Sequence, residues 1–116
     1  MTIFTTNCDE TFTITDRIGT YYGESEDMQI IEATDENGEI ASELYLNLTT
    51  GQIMQVETRE ENRGEGIATA LAQYAVDNGM PIFHSPEEHR TEEGQRFAER
   101  TDFIDTIDPQ LAYEAA

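Results

Sequence analysis

Hydrophobic and polar residues alternate along the first half of the chain with a period of two. The segment 40–48 shows this most clearly, because Leu44, Leu46 and Leu48 fall on one face of an extended chain. Weaker alternation marks three further segments. The pattern therefore predicts four strands, at residues 11–22, 28–34, 40–48 and 52–58.

Short turn sequences separate these strands. Asn37-Gly38 readily adopts the left-handed backbone of a tight hairpin, and Thr49-Thr50-Gly51 is a second turn signal. Because short turns join strands that run in opposite directions, we expect an antiparallel meander.

The hydrophobic period becomes that of a helix after residue 65. Residues 66–78 carry apolar side chains such as Ile67 and Leu71 at helical spacing, and Gly79 follows where a left-handed cap is expected. A second helix is predicted at residues 92–100. Between the helices, the apolar run 82–84 predicts a buried fifth strand. For residues 102–116, a short strand and a loose or helical tail both remain open.

Length and composition add limits to this outline. A chain of 116 residues is expected to form one domain, residues 1–116, with about ten N-terminal and about eight C-terminal residues loosely held. No apolar run approaches the roughly 20 residues that cross a bilayer, and no secretory signal is visible, so we expect a cytoplasmic protein without a membrane partner. The single Cys8 excludes an intramolecular disulfide, and no spacing of ligands predicts a metal.

The charge balance narrows the range of partners. The chain has 25 acidic residues against six arginines and no lysine, a net charge of −19. Such a surface repels phosphate backbones, so direct nucleic-acid binding is not expected. Two interpretations stay open: a solubilising, halophilic surface tolerated at high salt, and a decoy that imitates DNA and occupies a basic partner. The even spread of acidic residues along the chain favours the first.

The junction between the strands and the first helix carries the main chemical signal. Gly64 and Gly66 let the backbone approach a ligand closely. The first N–H groups of the following helix have no partner inside the helix, and the helix dipole adds positive potential there. The segment 63–68 therefore predicts an anion site suited to phosphate.

This segment resembles the coenzyme A loop of the GNAT acyltransferase superfamily. The family pattern is Arg or Gln, two residues, Gly, one residue, then Gly or Ala, and Arg63, Gly66 and Ala68 occupy those places. The order of strands, loop, helix, short strand and second helix is similar too, over about residues 28–103. The resemblance implies an α+β, GNAT-like domain. Its sheet would be mixed but mainly antiparallel, with five to six strands and helices packed on its faces.

The resemblance also implies an activity, the transfer of an acetyl group from acetyl-CoA, as substrate, to a small-molecule or protein amine. An acidic surface would favour a cationic acceptor. The pantetheine arm would pair with backbone near Val56, Glu57 and Thr58. Glu57 would act as the base, and His84 or Ser85 would supply a proton to the leaving thiolate. The pyrophosphate would rest on the N–H groups of Arg63, Gly64, Glu65, Gly66, Ile67 and Ala68.

The chain departs from the family pattern in three respects. Ala98 stands where many members carry a Tyr that protonates the thiolate, and Glu65 puts a carboxylate into the phosphate loop. Both departures support an alternative function, a non-catalytic acidic interaction or decoy protein on a GNAT scaffold that binds a basic partner. The chain is also short, so the hairpin that closes one side of the cleft is either reduced or supplied by a partner chain, as in a homodimer. A hydrolase is not favoured, because adjacent His84 and Ser85 do not easily form a triad.

Overall fold

Antiparallel strands in chain order form the sheet. A computed structural model describes residues 2–6, 9–20, 26–108 and 110–111. Within these residues the sheet has five strands in the order β1-β2-β3-β4-β5, and each neighbouring pair is antiparallel. The strands are β1 (Thr2–Thr5), β2 (Thr11–Thr20), β3 (Asp27–Thr34), β4 (Ile40–Asn47) and β5 (Ile53–Thr58).

The predicted meander is confirmed as β2 to β5, with one addition and small changes at its ends. β1 pairs with β2 along the edge of the sheet, in a segment for which the sequence predicts no element. The first predicted strand extends to Tyr22, but Tyr21 and Tyr22 lie outside the described residues, as does Cys8. Asn37-Gly38 forms the predicted turn, with Gly38 at φ +82°.

Two helices pack against the sheet, as the change of period predicts. They are α1 (Ile67–Asp77) and α2 (Glu92–Arg100). Thr91 caps α2, since its Oγ1 accepts a hydrogen bond of 3.0 Å from the Gly94 N–H. In the described part of the chain, neither helix has the length and apolarity that a membrane crossing requires.

The core lies between α1, α2 and one face of the sheet. Strand alternation brings Phe12, Ile31 and Leu44 to this face, where they are buried against Leu71 and Phe97. The burial of this apolar surface is the main force that fixes α1 across the strands. The start of α1 is thereby held beside the end of β5.

The predicted fifth strand at residues 82–84 is reduced to two isolated parallel bridges. Phe83 bridges Gln52, with hydrogen bonds of 2.8 Å from Ile53 N–H to Phe83 O and 2.9 Å from Phe83 N–H to Gly51 O. His84 bridges Thr106 on its other side. Only two residues pair because Ser85 and Pro86 follow, and Pro lacks the N–H that would continue a ladder.

A β-bulge bends β5 just beyond this contact. Tyr45 pairs with Gln55 and Leu46 with Ile53, so Met54 is an extra residue on β5. Such a bulge increases the local twist and redirects the strand. β5 and the segment of Phe83 consequently pair only around Ile53, and a cleft opens beside residues 55–58.

Candidate functional site

A cleft of about 810 Å³ lies between β5, the loop that follows it, and α2. Its volume falls in the range of small-molecule sites. Most of the predicted site residues line it together: Val56, Glu57, Thr58, Arg63, Gly64, Gly66, Ile67 and Ala68. Glu65 and His84 are not among its lining residues.

The loop after β5 is held by its own backbone and by one arginine. The Arg59 N–H donates to Ala41 O at 2.9 Å and ends the strand pairing, and a 3₁₀ turn over Glu60–Asn62 follows. Arg63 Nε then reaches back to Thr58 O at 3.1 Å. These contacts fold the loop over the open edge of β5.

Gly66 forms the junction between this loop and α1. Its φ of +82° is the left-handed conformation that glycine adopts without strain, and it occupies the N-cap position. No side chain caps the N-terminus of α1. Ile67, Ala68 and Thr69, the first residues of the helix, line the cleft. The N-terminus of α1, which is the positive end of the helix dipole, therefore faces the cleft.

The backbone of β5 also faces the cleft. Because the Arg59 N–H is directed toward β4, strand alternation turns the polar groups of Val56 and Thr58 the opposite way. The bond from Arg63 Nε to Thr58 O agrees with this direction. Val56 thus presents an N–H and a C=O along the edge that borders the cleft.

Positive charge is concentrated in the cleft, although the chain is strongly acidic. Four of the six arginines line it: Arg59, Arg63, Arg96 and Arg100. Arg59 pairs with Asp35 at 3.0 Å, and Arg96 pairs with Glu92 at 2.6 Å. Among the described residues, Arg63 and Arg100 have no carboxylate within ion-pair distance. Two cations of the cleft are therefore not neutralised by a described neighbour.

Two carboxylates lie on the sheet wall of the same cleft. Glu43 on β4 and Glu57 on β5 are direct cross-strand neighbours. Glu43 is only 6% exposed and accepts a 2.8 Å hydrogen bond from the Tyr45 hydroxyl. Gln55 Nε2 lies 3.4 Å from Glu57 Oε1. This side of the cleft can bind a cation or accept a proton.

The carboxylate of Glu65 is bonded within the loop, and Glu65 is not among the lining residues of the cleft. Its Oε1 accepts a 2.7 Å hydrogen bond from Asn62 Nδ2. Asn62 is 2% exposed and lies among the loop residues. A carboxylate in the loop sequence is thus compatible with an anion on the cleft side.

His84 is a buried residue outside the main cleft. Its Nε2 lies 3.1 Å from Thr101 O and 2.9 Å from Thr101 Oγ1, and its ring meets Phe97 edge-on at 5.8 Å. Burial lowers the pKa of His84, and the nearby Arg90 charge acts in the same direction. His84 is therefore neutral at pH 7.

A second cavity, of about 470 Å³, adjoins the main cleft. His84 and Ser85 line it, and Ser85 Oγ donates to Ile53 O at 2.9 Å. Val56 and Phe97 line both cavities, so the two spaces meet at these side chains. Ala98 is buried and lines neither.

Sequence reasoning missed several residues that line the cleft, namely Ser42, Glu43, Arg59, Asn62 and Arg100. A signal existed only for Glu43, a charged residue inside an apolar strand. Ser42 reaches the cleft from β4. Arg59 and Asn62 reach it through the turn after β5, and Arg100 through the packing of α2. No set of three or more metal-ligating side chains occurs among the residues that the structure describes.

Comparison with known proteins gives no match. Protein-family models, curated proteins and solved structures were each searched, and none matches the chain. Function is therefore inferred from the chemistry of the cleft and from the resemblance of the loop.

Proposed function

We propose that this protein is a GNAT-like N-acetyltransferase that binds acetyl-CoA in the main cleft and transfers its acetyl group to an amine. The supporting observation is the coincidence of three features in one cavity: the start of α1, four arginines and the open edge of β5. The first two features would serve the diphosphate of the donor, and the edge of β5 would serve its extended arm.

The diphosphate of the donor would bind at the start of α1. Gly64 and Gly66 carry no side chain, so an anion can approach the N–H groups of the loop and of the first helical turn. Arg63 and Arg100 would add charge-assisted hydrogen bonds. In a chain of net charge −19, these arginines provide the local attraction that the rest of the surface does not.

The extended arm of the donor would lie along β5. Its amide groups can pair with the N–H and C=O of Val56, as an added strand pairs with a sheet edge. The bulge at Met54 and the departure of the Phe83 segment leave room for this arm. The thioester would then lie near Val56 and Phe97, where the two cavities meet.

The acceptor would approach on the side of Glu43 and Glu57. Glu57 would take a proton from the ammonium form of the amine, directly or through water. The amine nitrogen would attack the thioester carbon, the C–S bond would break, and the proton that the nitrogen loses on forming the amide would pass to the leaving thiolate. Ser85 and His84, which line the second cavity, are the candidates to relay that proton.

Calorimetric titration with acetyl-CoA tests the donor site, with molar salt in the buffer to screen the acidic surface. We expect saturable 1:1 binding in the micromolar range. No heat of binding up to high micromolar acetyl-CoA would reject the proposal. Release of free CoA in the presence of a primary amine then tests transfer.

A non-catalytic protein that binds a basic partner is the second candidate. It is favoured by Ala98, which leaves α2 without a hydroxyl at the place where the family usually has one. Acetyl-CoA binding without CoA release, together with salt-sensitive capture of a basic protein such as a histone, would support this function over transfer.

A further inference from the structure

Asn62 is a buried polar residue of the loop at the proposed donor site, directly before the segment 63–66. Its Oδ1 accepts from Arg59 Nε, and its Nδ2 donates to Glu65 Oε1 at 2.7 Å and to Glu10 Oε2 at 3.3 Å. The orientation of the amide is fixed by chemistry, because a guanidinium only donates and an ionised carboxylate only accepts. All the side-chain polar atoms of Asn62 are therefore engaged.

These bonds connect the loop to the rest of the sheet. Arg59, which bonds Asn62, also pairs with Asp35 in the turn between β3 and β4. Asn62 in turn bonds Glu65, which stands between the two left-handed glycines of the loop. A continuous chain of polar contacts thus runs from the β3–β4 turn to the anion-binding segment.

The carboxylate of Glu65 depends strongly on this contact. Its Oε2 is buried, and no hydrogen-bond partner for that atom occurs within the described part of the chain. Oε1 is held by Asn62 alone among the side-chain hydrogen bonds of the described residues. Without Asn62, a buried carboxylate would lose its donor and would gain by turning toward water.

We propose that Asn62 is a positioning residue that keeps the Glu65 carboxylate beneath the loop and so holds residues 63–66 in the form that binds an anion. The identity of that anion as acetyl-CoA rests on the proposed function, whereas the role of Asn62 in anion binding does not. If the carboxylate turned outward, its charge would repel the bound phosphate and the loop would lose its anchor.

Variants of Glu65 test this role while Asn62 itself is unchanged. Glu65→Asp keeps the charge but is one methylene too short to reach Asn62, so we expect anion affinity to fall on the order of tenfold. Glu65→Gln keeps the length and can still accept from Asn62, so affinity should be equal to or higher than that of the wild type. Glu60→Asp is the matched control, since Glu60 is exposed on the same loop.

A swap of donor and acceptor gives a second, independent test. Asn62→Asp faces Glu65 with a like charge and should weaken binding on the order of tenfold or more. Combined with Glu65→Gln, the new amide can donate to Asp at position 62, and the net charge returns to that of the wild type. Glu10 loses its donor and still faces the new carboxylate, so we expect this double variant to recover part of the lost affinity, a rescue that general destabilisation would not produce.

Inorganic pyrophosphate and acetyl-CoA are the two probes, with circular dichroism to show that each variant is folded. Weaker binding of either probe by Glu65→Asp, with retention in Glu65→Gln, supports the role of Asn62. Binding of pyrophosphate but not of acetyl-CoA would overturn the proposed function alone. Equal affinities across all variants would overturn the role of Asn62 alone, and a wild type that binds neither probe would overturn both.

Discussion

The ring of His84 is bonded to Thr101 at the end of α2, with Nε2 2.9 Å from Oγ1 and 3.1 Å from the carbonyl oxygen. Thr101 Oγ1 itself donates to Phe97 O at 2.7 Å. Since the threonine proton is used in that bond, His84 Nε2 carries the proton and donates to Thr101. The contact joins the Phe83–His84 segment to the C-terminal end of α2, and it uses Nε2 of the His84 ring.

This arrangement predicts that stability falls in mild acid. Burial lowers the pKa of His84 in the folded protein, whereas in the unfolded chain it titrates near 6.5. The unfolded state therefore binds the proton more readily, and the contribution of neutral His84 is complete above pH 6.5 and declines as the pH falls below it.

Urea unfolding at pH 7.5 and pH 5.5 measures the effect. The many carboxylates also titrate, so the informative quantity is the difference between wild type and His84→Gln. We expect the wild type to lose more stability over this interval than the variant. Equal losses would show that His84 does not titrate differently on unfolding.

Gly66 should be essential for donor binding. Gly66→Ala places a Cβ at φ +82°, which costs about 1 kcal/mol or more of backbone strain and disturbs the first turn of α1. Gly38→Ala is a matched control, because Gly38 has the same φ and lies in a turn that does not line the cleft. By calorimetry, Gly66→Ala should abolish acetyl-CoA binding, and Gly38→Ala should retain it at similar stability. Similar affinities for both variants would argue against a ligand at this loop.

Arginines that line the cleft should contribute to acetyl-CoA binding, and arginines elsewhere should not. Arg63→Gln and Arg100→Gln each remove a cation that lines the cleft, so we expect the Kd for acetyl-CoA to rise on the order of tenfold. Arg17→Gln changes the net charge equally but lies on β2, outside the cleft. An equal loss for all three variants would indicate that total charge, and not the site, governs binding.

Gly51 is predicted to be critical for stability. A Cβ at this position would lie 2.4 Å from Pro81 O, at a φ of +80° that already disfavours a side chain. Gly79→Ala is the control, with φ +70° and open space around the added atom. We expect Gly51→Ala to lower the melting temperature by clearly more than Gly79→Ala, because the turn must move away from Pro81. Equal shifts would mean that the turn adjusts freely.

Salt should stabilise the folded chain if the acidic residues form a solubilising surface. Between about 0.01 M and about 1 M NaCl the Debye length falls from about 30 Å to about 3 Å, which screens the self-repulsion of a −19 chain. The melting temperature should rise across this range. An unchanged melting temperature would contradict the interpretation of the surface as salt-adapted.

The regular elements follow from the sequence because each has a strong local signal. The alternation in β4 and the helical spacing from Ile67 onward each reflect one buried face. The Phe83–His84 segment could not be predicted correctly, since a short apolar run does not reveal how many residues pair. Phe83 forms one bridge to Gln52, and His84 forms another to Thr106. Pro86 limits further pairing.

The sequence predicts the candidate site only at positions where the residue type itself indicates the role. Gly64 and Gly66 mark the loop because their backbone conformation requires glycine. Asn62 gives no such signal, since its role depends on contacts with Arg59 and with Glu10, the residue just before β2. Arg100 reaches the cleft only through the packing of α2, which long-range core contacts determine.

Amide chemical shifts during an acetyl-CoA titration test the central claim most directly. In ¹H–¹⁵N spectra we expect saturable changes at Val56 and Thr58, at Gly64 and Gly66, and in the first turn of α1, while Gly38 and the strands β1 and β2 stay unchanged. Perturbations confined to other residues, or none at high micromolar acetyl-CoA, would contradict the assignment of this cleft as a donor site.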